Sequence, residues 1–216
     1  MIIKKISCNV KEDQKEIFYE HQKQWKYLSI AKGFLGQIGG WSLKQPFTAC
    51  IYSFWENQTD YQKFMEEQHD QIFVNSGQEN SYESIDVSLY QEELSIPGLV
   101  ENIVKVLKTS SYIRVSLAQV KEHRINHFVD MHKNVWNLGM QKSEGMLGGT
   151  FAFSQKLLEN EYLVLTGWKN EVDHQNYIEQ NFPELLNSAK PNDDVFELKG
   201  DQFKVEEAWR VCRVNE

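Results

Sequence analysis

The sequence predicts an α+β fold built from two copies of one small unit, because its two halves repeat each other. Residues 52–66 read YSFWENQTDYQKFME and residues 165–179 read LTGWKNEVDHQNYIE, with Trp, Asn, Asp, Gln and Glu at the same places. A second pair of segments aligns at a constant offset of 111 residues, which places Ile17, Phe18, His21 and Trp25 opposite Phe128, Val129, His132 and Trp136. Self-similarity over most of a chain indicates a duplicated structural unit.

The first copy shows its periodic patterns in the order strand, helix, strand, strand, helix, strand. Alternation and short apolar runs predict strands at 2–9, 35–43, 49–55 and 84–90. Two apolar stripes at helical spacing predict the helices, namely Ile17, Phe18, His21, Trp25 and Leu28, then Tyr61, Phe64, Met65, Ile72 and Phe73. This order is that of a ferredoxin-like β-α-β-β-α-β unit, in which both helices cover one face of an antiparallel sheet.

The second copy repeats this order in the remaining half of the chain. Its predicted strands lie near 112–120, 146–154, 162–168 and 203–213, and its helices near 124–140 and 172–187. A turn-rich stretch before 203 predicts an extra small strand or an ordered loop. The break at Pro97 and Gly98 places the boundary between the copies. We therefore predict domains at 1–93 and 112–216, joined by a linker at 94–111 that carries a short helix.

The face of each sheet that the helices leave open carries apolar side chains such as Trp41 and Ile51. An open apolar face of this kind needs a cover, and two copies in one chain can supply it to each other. The prediction is therefore two antiparallel sheets facing each other as an intramolecular α/β barrel, in a pseudo-dimeric monomer or a homodimer.

Composition narrows the functional classes. The chain has 41% hydrophobic and 25% charged residues, a formal net charge of -8 and a pI near 5.3. An acidic chain with interleaved basic residues is unsuited to phosphate backbones, so no nucleic-acid partner is expected. No long apolar run predicts a signal peptide or a membrane span, so the expected location is cytoplasmic, with no membrane partner. The cysteines and histidines show no metal-ligand spacing, and no metal site is predicted.

Several motifs resemble a known group of proteins. The stretches GFLGQIGGW, FWENQTDYQKFMEEQHDQIF and HKNVWNLGMQKSEGMLGGTF resemble the dimeric α/β-barrel superfamily, which includes antibiotic-biosynthesis and heme-degrading monooxygenases. More narrowly, they resemble an uncharacterised bacterial family of tandem-domain proteins. The resemblance implies the ferredoxin-like fold and a pocket for an apolar or aromatic small molecule. Heme-degrading relatives use an Asn on the first strand together with a Trp and a His on the second helix. Asn9 fits that Asn, but Lys63 and Phe64 occupy the positions where the Trp is expected.

One histidine on the first helix of each copy is a candidate functional group. His21 and His132 each lie four residues before a tryptophan, Trp25 and Trp136, on the apolar stripe of the helix. This spacing aims both side chains at the sheet, where an imidazole can exchange protons and an indole can form a flat wall. An inward histidine can equally be a core residue that hydrogen-bonds a backbone carbonyl.

His69, on the second helix of copy one, has no counterpart, because Phe182 takes its place in copy two. If only copy one keeps a working pocket, His69, Gln37 and Trp41 are groups that only this copy offers. The alternative is a surface histidine beside Asp70 near a helix C-terminus. In both copies an Asn and an Asp follow the tryptophan, Trp55 or Trp168, and these residues fit the capped start of a helix better than they fit a functional site.

The sequence thus predicts a small-ligand-binding protein with catalytic candidates His21 and His69 and ligand-binding candidates Trp25, Gln37, Trp41, His132 and Trp136. No cofactor is predicted, and oxygenation of an aromatic substrate without a cofactor is the candidate reaction. The alternative is a sensor, carrier or assembly module whose core is filled by its own aromatic side chains.

Overall fold

The structure, a computed structural model, describes residues 1–156 and 159–214. The described residues fold as two compact units: unit 1 comprises residues 1–89 and 205–214, and unit 2 comprises residues 90–156 and 159–204. Strand β4 contributes residues to both. Each unit has the predicted β-α-β-β-α-β order, so the tandem α+β fold of two ferredoxin-like units is confirmed. The arrangement of the two sheets against each other stays a prediction.

Unit 1 consists of an antiparallel sheet and two helical segments. Its strands, in the sheet order β4, β1, β3, β2, β9, have the bounds β1 Ile2–Asn9, β2 Phe34–Trp41, β3 Thr48–Trp55, β4 Ser84–Ile96 and β9 Val211–Cys212. The first segment is α1 Lys15–Gln22 and continues as a 3₁₀ helix over Lys23–Ile30. The second is α2 Gln58–Phe64, a π-helical turn Met65–His69 and α3 Asp70–Ser76.

Unit 2 repeats this plan with a preceding short helix, α4 Ile103–Thr109. Its strands β5 Tyr112–Val120, β6 Met146–Ser154, β7 Glu161–Trp168 and β8 Val195–Lys204 form an antiparallel sheet with the later part of β4. The helical segments are α5 Ile125–Met131, a π-helical turn His132–Trp136 and α6 Asn137–Gln141, then α7 Glu171–Gln180 and α8 Phe182–Ala189. The last strand of the unit, β8, therefore begins at residue 195, whereas the predicted strand begins at 203.

The repeated Trp-x-Asn-x-x-Asp sequence builds the same strand-to-helix junction in both units. The Asn57 side chain accepts a hydrogen bond from the Asp60 backbone amide at 2.9 Å, and Asn170 caps Asp173 in the same way at 2.8 Å. These are N-caps, which satisfy amide groups that the first helical turn leaves unpaired. The prediction that these shared residues are helix caps is confirmed.

The division of the chain differs from the predicted domains at its end. Residues 205–214 were expected in the second copy, but they return to unit 1, where Val211 pairs with Gln37 of β2. Trp209 explains this return, because it is fully buried in a cluster with Phe18 and other aromatic residues of unit 1. The stretch before residue 203 is predicted to hold an extra small strand or an ordered loop, and the structure forms strand β8 there, over Val195–Lys204.

In the part of the chain that the structure describes, no helix combines the length and apolar character that crossing a membrane requires.

Candidate functional site

Unit 1 encloses a cavity of about 270 Å³, lined by strands of its sheet and by both helical segments. Six aromatic side chains form much of its wall: Trp25, Trp55, Tyr61, Phe64, Phe73 and Tyr82. Six polar side chains also reach it: Lys4, Gln22, Gln37, Ser53, His69 and Gln78. Small-molecule sites have this character, an apolar concave surface with a few polar groups that orient the ligand, and this volume suits a compound at the small end of the range.

The Trp25 wall is held in place by a chain of hydrogen bonds. The Trp25 indole Nε1 donates to Gln78 Oε1 at 2.8 Å, and Gln78 Nε2 donates to Gln22 Oε1 at the same distance. All three side chains are buried. Because a buried and satisfied polar network has few alternative arrangements, it fixes the orientation of the indole ring. The cavity therefore has a preformed aromatic wall.

His69 lies in the π-helical turn of the second helical segment and lines the cavity. Its ring stacks on Phe73 at a centroid distance of 6.1 Å, and its Nδ1 lies 2.9 Å from Asp70 Oδ1. Burial lowers the pKa of His69, the Asp70 hydrogen bond opposes this shift, and the Lys4 charge adds a smaller lowering. A neutral imidazole that donates from Nδ1 to the carboxylate keeps Nε2 as an acceptor. His69 can therefore accept a proton or a hydrogen bond from a ligand.

Lys4 is a cavity residue that sequence reasoning missed. Its side chain is almost wholly buried, its Nζ lies 3.8 Å from Met65 Sδ and 5.9 Å from the centre of the Tyr61 ring, and burial lowers its pKa to about 8. A signal was present in IIKKISC, because Lys4 alternates with Ile6 and Cys8 on one face of β1. Because lysine in a strand usually faces solvent, this alternation alone does not identify Lys4 as a buried residue.

Cys8 lines the same cavity. Burial raises the pKa of its thiol to about 12, so the side chain is a neutral apolar group.

The structure brings Trp25, Gln37 and His69 to the cavity but leaves His21 outside it. The His21 ring instead lies against Gly77, where an added Cβ would be 3.6 Å from Cε1. The reason is the change of helix type after Gln22: the α-helical spacing that put His21 and Trp25 on one stripe does not continue through the 3₁₀ helix. The expectation that His21 and Trp25 share one pocket is therefore wrong.

Trp41 also lies outside the cavity, although it is on the same strand as Gln37. Its ring packs against Trp209 at a centroid distance of 5.1 Å, and Lys15 Nζ lies 4.5 Å from its centre. The end of β2 is thus covered by the returning C-terminal segment, which the sequence pattern did not reveal. Trp41 is a packing residue of this cluster.

His132 and Trp136 line a much smaller cavity in unit 2, of about 50 Å³. The His132 ring stacks on Phe151 at 4.2 Å, and its buried Nδ1 has no hydrogen-bond partner among the described residues. Burial, aided by the charge of Arg114, lowers the pKa of His132 to about 3. Phe182, which takes the place of His69, packs on Trp136 at 5.5 Å. Side chains thus fill most of the space that is open in unit 1.

Comparisons with known proteins agree with this fold. Residues 2–90 match a domain of unknown function, DUF4937. The uncharacterized protein YdbC of Bacillus subtilis is 42% identical over 95 residues, which span 43% of this chain and 80% of YdbC.

Three solved structures share the fold over nearly the whole chain. A "putative monooxygenase" of Fusobacterium nucleatum has a TM-score of 0.78 and 12% identity, covering 100% of this chain and 95% of that one. A "putative monooxygenase" of Lactobacillus acidophilus has a TM-score of 0.73 and 12% identity, covering 98% and 96%. An anthrone oxidase-like protein has a TM-score of 0.70 and 10% identity, covering 95% and 91%.

The resemblance to ferredoxin-fold, monooxygenase-like proteins is therefore confirmed, and at identities of 10% and 12% it is a likeness of fold. Residues 2–90 match DUF4937, and since YdbC is 42% identical and 80% of its length is matched, the chain belongs to the YdbC family.

Proposed function

We propose that the cavity of unit 1 binds a small aromatic molecule. The observation that carries this proposal is the contrast between the two units. The cavity between sheet and helices measures about 270 Å³ in unit 1, whereas the one lined by His132 and Trp136 in unit 2 measures about 50 Å³. A core that only needed to be stable would be filled in both units, because empty volume in a core costs free energy. The open volume in unit 1 is therefore best explained by a ligand.

The lining residues suit a flat ring system. Trp25, Phe64 and Phe73 offer aromatic faces and edges, which favour stacked or edge-to-face contact with another ring. Gln37 Nε2 makes one long hydrogen bond, 3.4 Å to the Trp209 carbonyl, so this amide has capacity for a ligand acceptor. His69 adds an acceptor on the opposite wall, from the helices. Together these polar groups would orient a ring bearing oxygen substituents.

We propose that this site oxygenates a hydroxylated aromatic ring without a cofactor: O₂ oxidises the ring to a quinone, one oxygen atom becomes the new carbonyl at a C–H carbon, and the other leaves as water with the two hydrogens that the ring loses. The support comes from three fold neighbours, two with "monooxygenase" and one with "anthrone oxidase-like" in their names. A cavity that excludes water and holds an electron-rich ring beside a proton acceptor provides what such a reaction requires from the protein. Consumption of O₂ on adding a bound aromatic compound supports this activity. Binding without O₂ consumption favours the carrier or sensor function instead.

Filling the cavity is expected to abolish binding. Val87 lines the cavity of unit 1 and is 42% exposed, so a Val87→Trp side chain can enter the volume without disturbing a packed core. We expect the affinity for 2-naphthamide, a neutral bicyclic probe, to fall at least about tenfold, since the indole and the probe compete for one space. Isothermal titration calorimetry measures this change.

Leu198→Trp is the matched control, because Leu198 lines the small cavity of unit 2 and is 47% exposed. This variant is expected to bind 2-naphthamide as the wild type does. Equal weakening in both variants would contradict the assignment of the site to unit 1.

The two histidines of unit 1 are expected to differ in their effect on binding. His69→Gln removes an aromatic ring and replaces the basic imidazole nitrogen of the cavity wall by an amide, and we expect the affinity for 2-naphthamide to fall by about threefold to tenfold. His21→Gln changes a side chain outside the cavity and is expected to leave the affinity unchanged. The same calorimetric titration tests both, and loss of binding in His21→Gln alone would reverse the assignment.

A further inference from the structure

We infer that Lys4 holds an ionised oxygen of the ligand, so that the unit 1 cavity selects aromatic molecules that carry a carboxylate or an acidic hydroxyl group. This inference rests on the proposed function and names the substrate class of the same site. Lys4 is 7% exposed, lines the cavity and comes from the central part of the sheet, where it pairs with Ser53 of β3.

The surroundings of Lys4 leave its charge unmatched. Among the described residues, the hydrogen-bond partner of Nζ is the Met65 thioether sulfur at 3.8 Å, and no carboxylate lies within ion-pair distance. A thioether is a weak acceptor, and an ammonium group has three donors. A buried charge normally requires a paired counter-charge, because desolvation is otherwise costly. The adjacent Lys5, on the opposite face of β1, shows the usual pairing, with its Nζ 3.0 Å from Asp86 Oδ2.

The other groups around the cavity do not supply a negative charge. None of the described residues that line it is an aspartate or a glutamate. Burial raises the pKa of Tyr61, Tyr82 and the Cys8 thiol, so these three groups stay neutral at physiological pH. His69, from the second helical segment, is neutral or positive. The electrostatic character of the cavity is therefore positive, which favours an anion and disfavours a cation.

Strand geometry makes Lys4 a fixed anchor. Its backbone lies in β1 between β4 and β3, so the amine reaches the cavity from a rigid base. A flat ring held between the aromatic walls would direct its ionised oxygen toward the sheet. A carboxylate and a phenolate share this chemistry, and both would accept hydrogen bonds from the unused ammonium donors.

The test uses a pair of probes with the same shape and different charge, 2-naphthoate and 2-naphthamide. By isothermal titration calorimetry at pH 7, the wild type is expected to bind the anion at least about tenfold more tightly. Lys4→Met keeps the length of the side chain and removes its charge, so it should bind both probes with the affinity of the amide. Lys5→Met, on the face of β1 opposite the cavity, should keep the preference. Titration with 2-naphthol shows whether an acidic hydroxyl is accepted as well as a carboxylate.

Proton uptake gives a second readout that a structural lysine would not produce. Since burial lowers the pKa of Lys4 to about 8, an anion that raises this pKa again should cause uptake of about half a proton per ligand at pH 8. Titrations in buffers with different ionisation enthalpies measure this uptake. Equal affinity of the wild type for both probes, or a preference that survives in Lys4→Met, overturns the role of Lys4 while the cavity function stands. Failure of both probes to bind the wild type overturns the proposed function itself.

Discussion

Replacement of Trp209 by alanine is expected to lower the free energy of unfolding by about 3–5 kcal/mol, the usual cost of removing a fully buried tryptophan. Trp209 has no exposed surface, and its ring lies 5.8 Å from that of Phe18 and 5.6 Å from that of Tyr19, measured between centroids. Its indole Nε1 also donates a hydrogen bond to the Tyr19 carbonyl at 3.2 Å. The substitution therefore creates a cavity and removes this hydrogen bond.

Urea unfolding followed by circular dichroism measures the effect of Trp209→Ala, and Phe196→Ala is the control. Phe196 is a nearby aromatic residue in the chain but is 75% exposed, so its removal should change the free energy of unfolding by less than about 0.5 kcal/mol. Similar small effects in both variants would contradict the structure, because residues 205–214 would then not be an integral part of unit 1.

Lowering the pH from 7 to 5 is expected to reduce the stability of unit 2 by about 4 kcal/mol through two buried histidines. Burial lowers the pKa of His132 to about 3 and that of His174 to about 4, in both cases with help from the charge of Arg114. In the unfolded chain each imidazole has a pKa near 6.5. Between these values the unfolded state binds more protons, so stability that is complete above about pH 6.5 is lost as the pH falls. Each histidine contributes about 2 kcal/mol by pH 5.

The His132→Phe variant removes the contribution of one of the two histidines, which is half of the expected loss of stability. A phenyl ring can keep the stacking on Phe151, the small cavity beside it can take the added volume, and the unpaired Nδ1 is removed. We expect stability at pH 7 to be kept or raised, and the loss between pH 7 and pH 5 to shrink by about 2 kcal/mol. Urea unfolding at both pH values measures this difference. His123→Gln, at an exposed position, is the control. An unchanged pH dependence in His132→Phe would show that His132 is not held neutral by burial.

The parts of the fold that short-range patterns determine were predictable from the sequence. The apolar stripe that includes Phe64 and Phe73 identified the inner face of the second helical segment, and both side chains line the cavity. The Asn57 and Asn170 caps were readable because capping depends on residues three positions apart. His69 was found because the repeat is broken there, which no property of a single helix would have revealed.

The parts that depend on long-range contact or on local changes of helix type were not predictable. His21 was misplaced because the α-helix changes to a 3₁₀ helix after Gln22, and residue type does not mark this change. Trp209 packs against residues near the opposite end of the chain, so no local pattern assigns it to unit 1. Lys4 was missed because the environment of a lysine, and not its position in a strand, determines whether it is buried.

A crystal structure of the protein with 2-naphthoate tests the central claim most directly. The account predicts that the naphthyl ring lies inside unit 1 against Trp25 and Phe73, with a carboxylate oxygen at hydrogen-bond distance from Lys4 Nζ, and that the small cavity of unit 2 holds no ligand. A unit 1 cavity closed by its own side chains, or a naphthoate bound only elsewhere on the protein, would contradict the account.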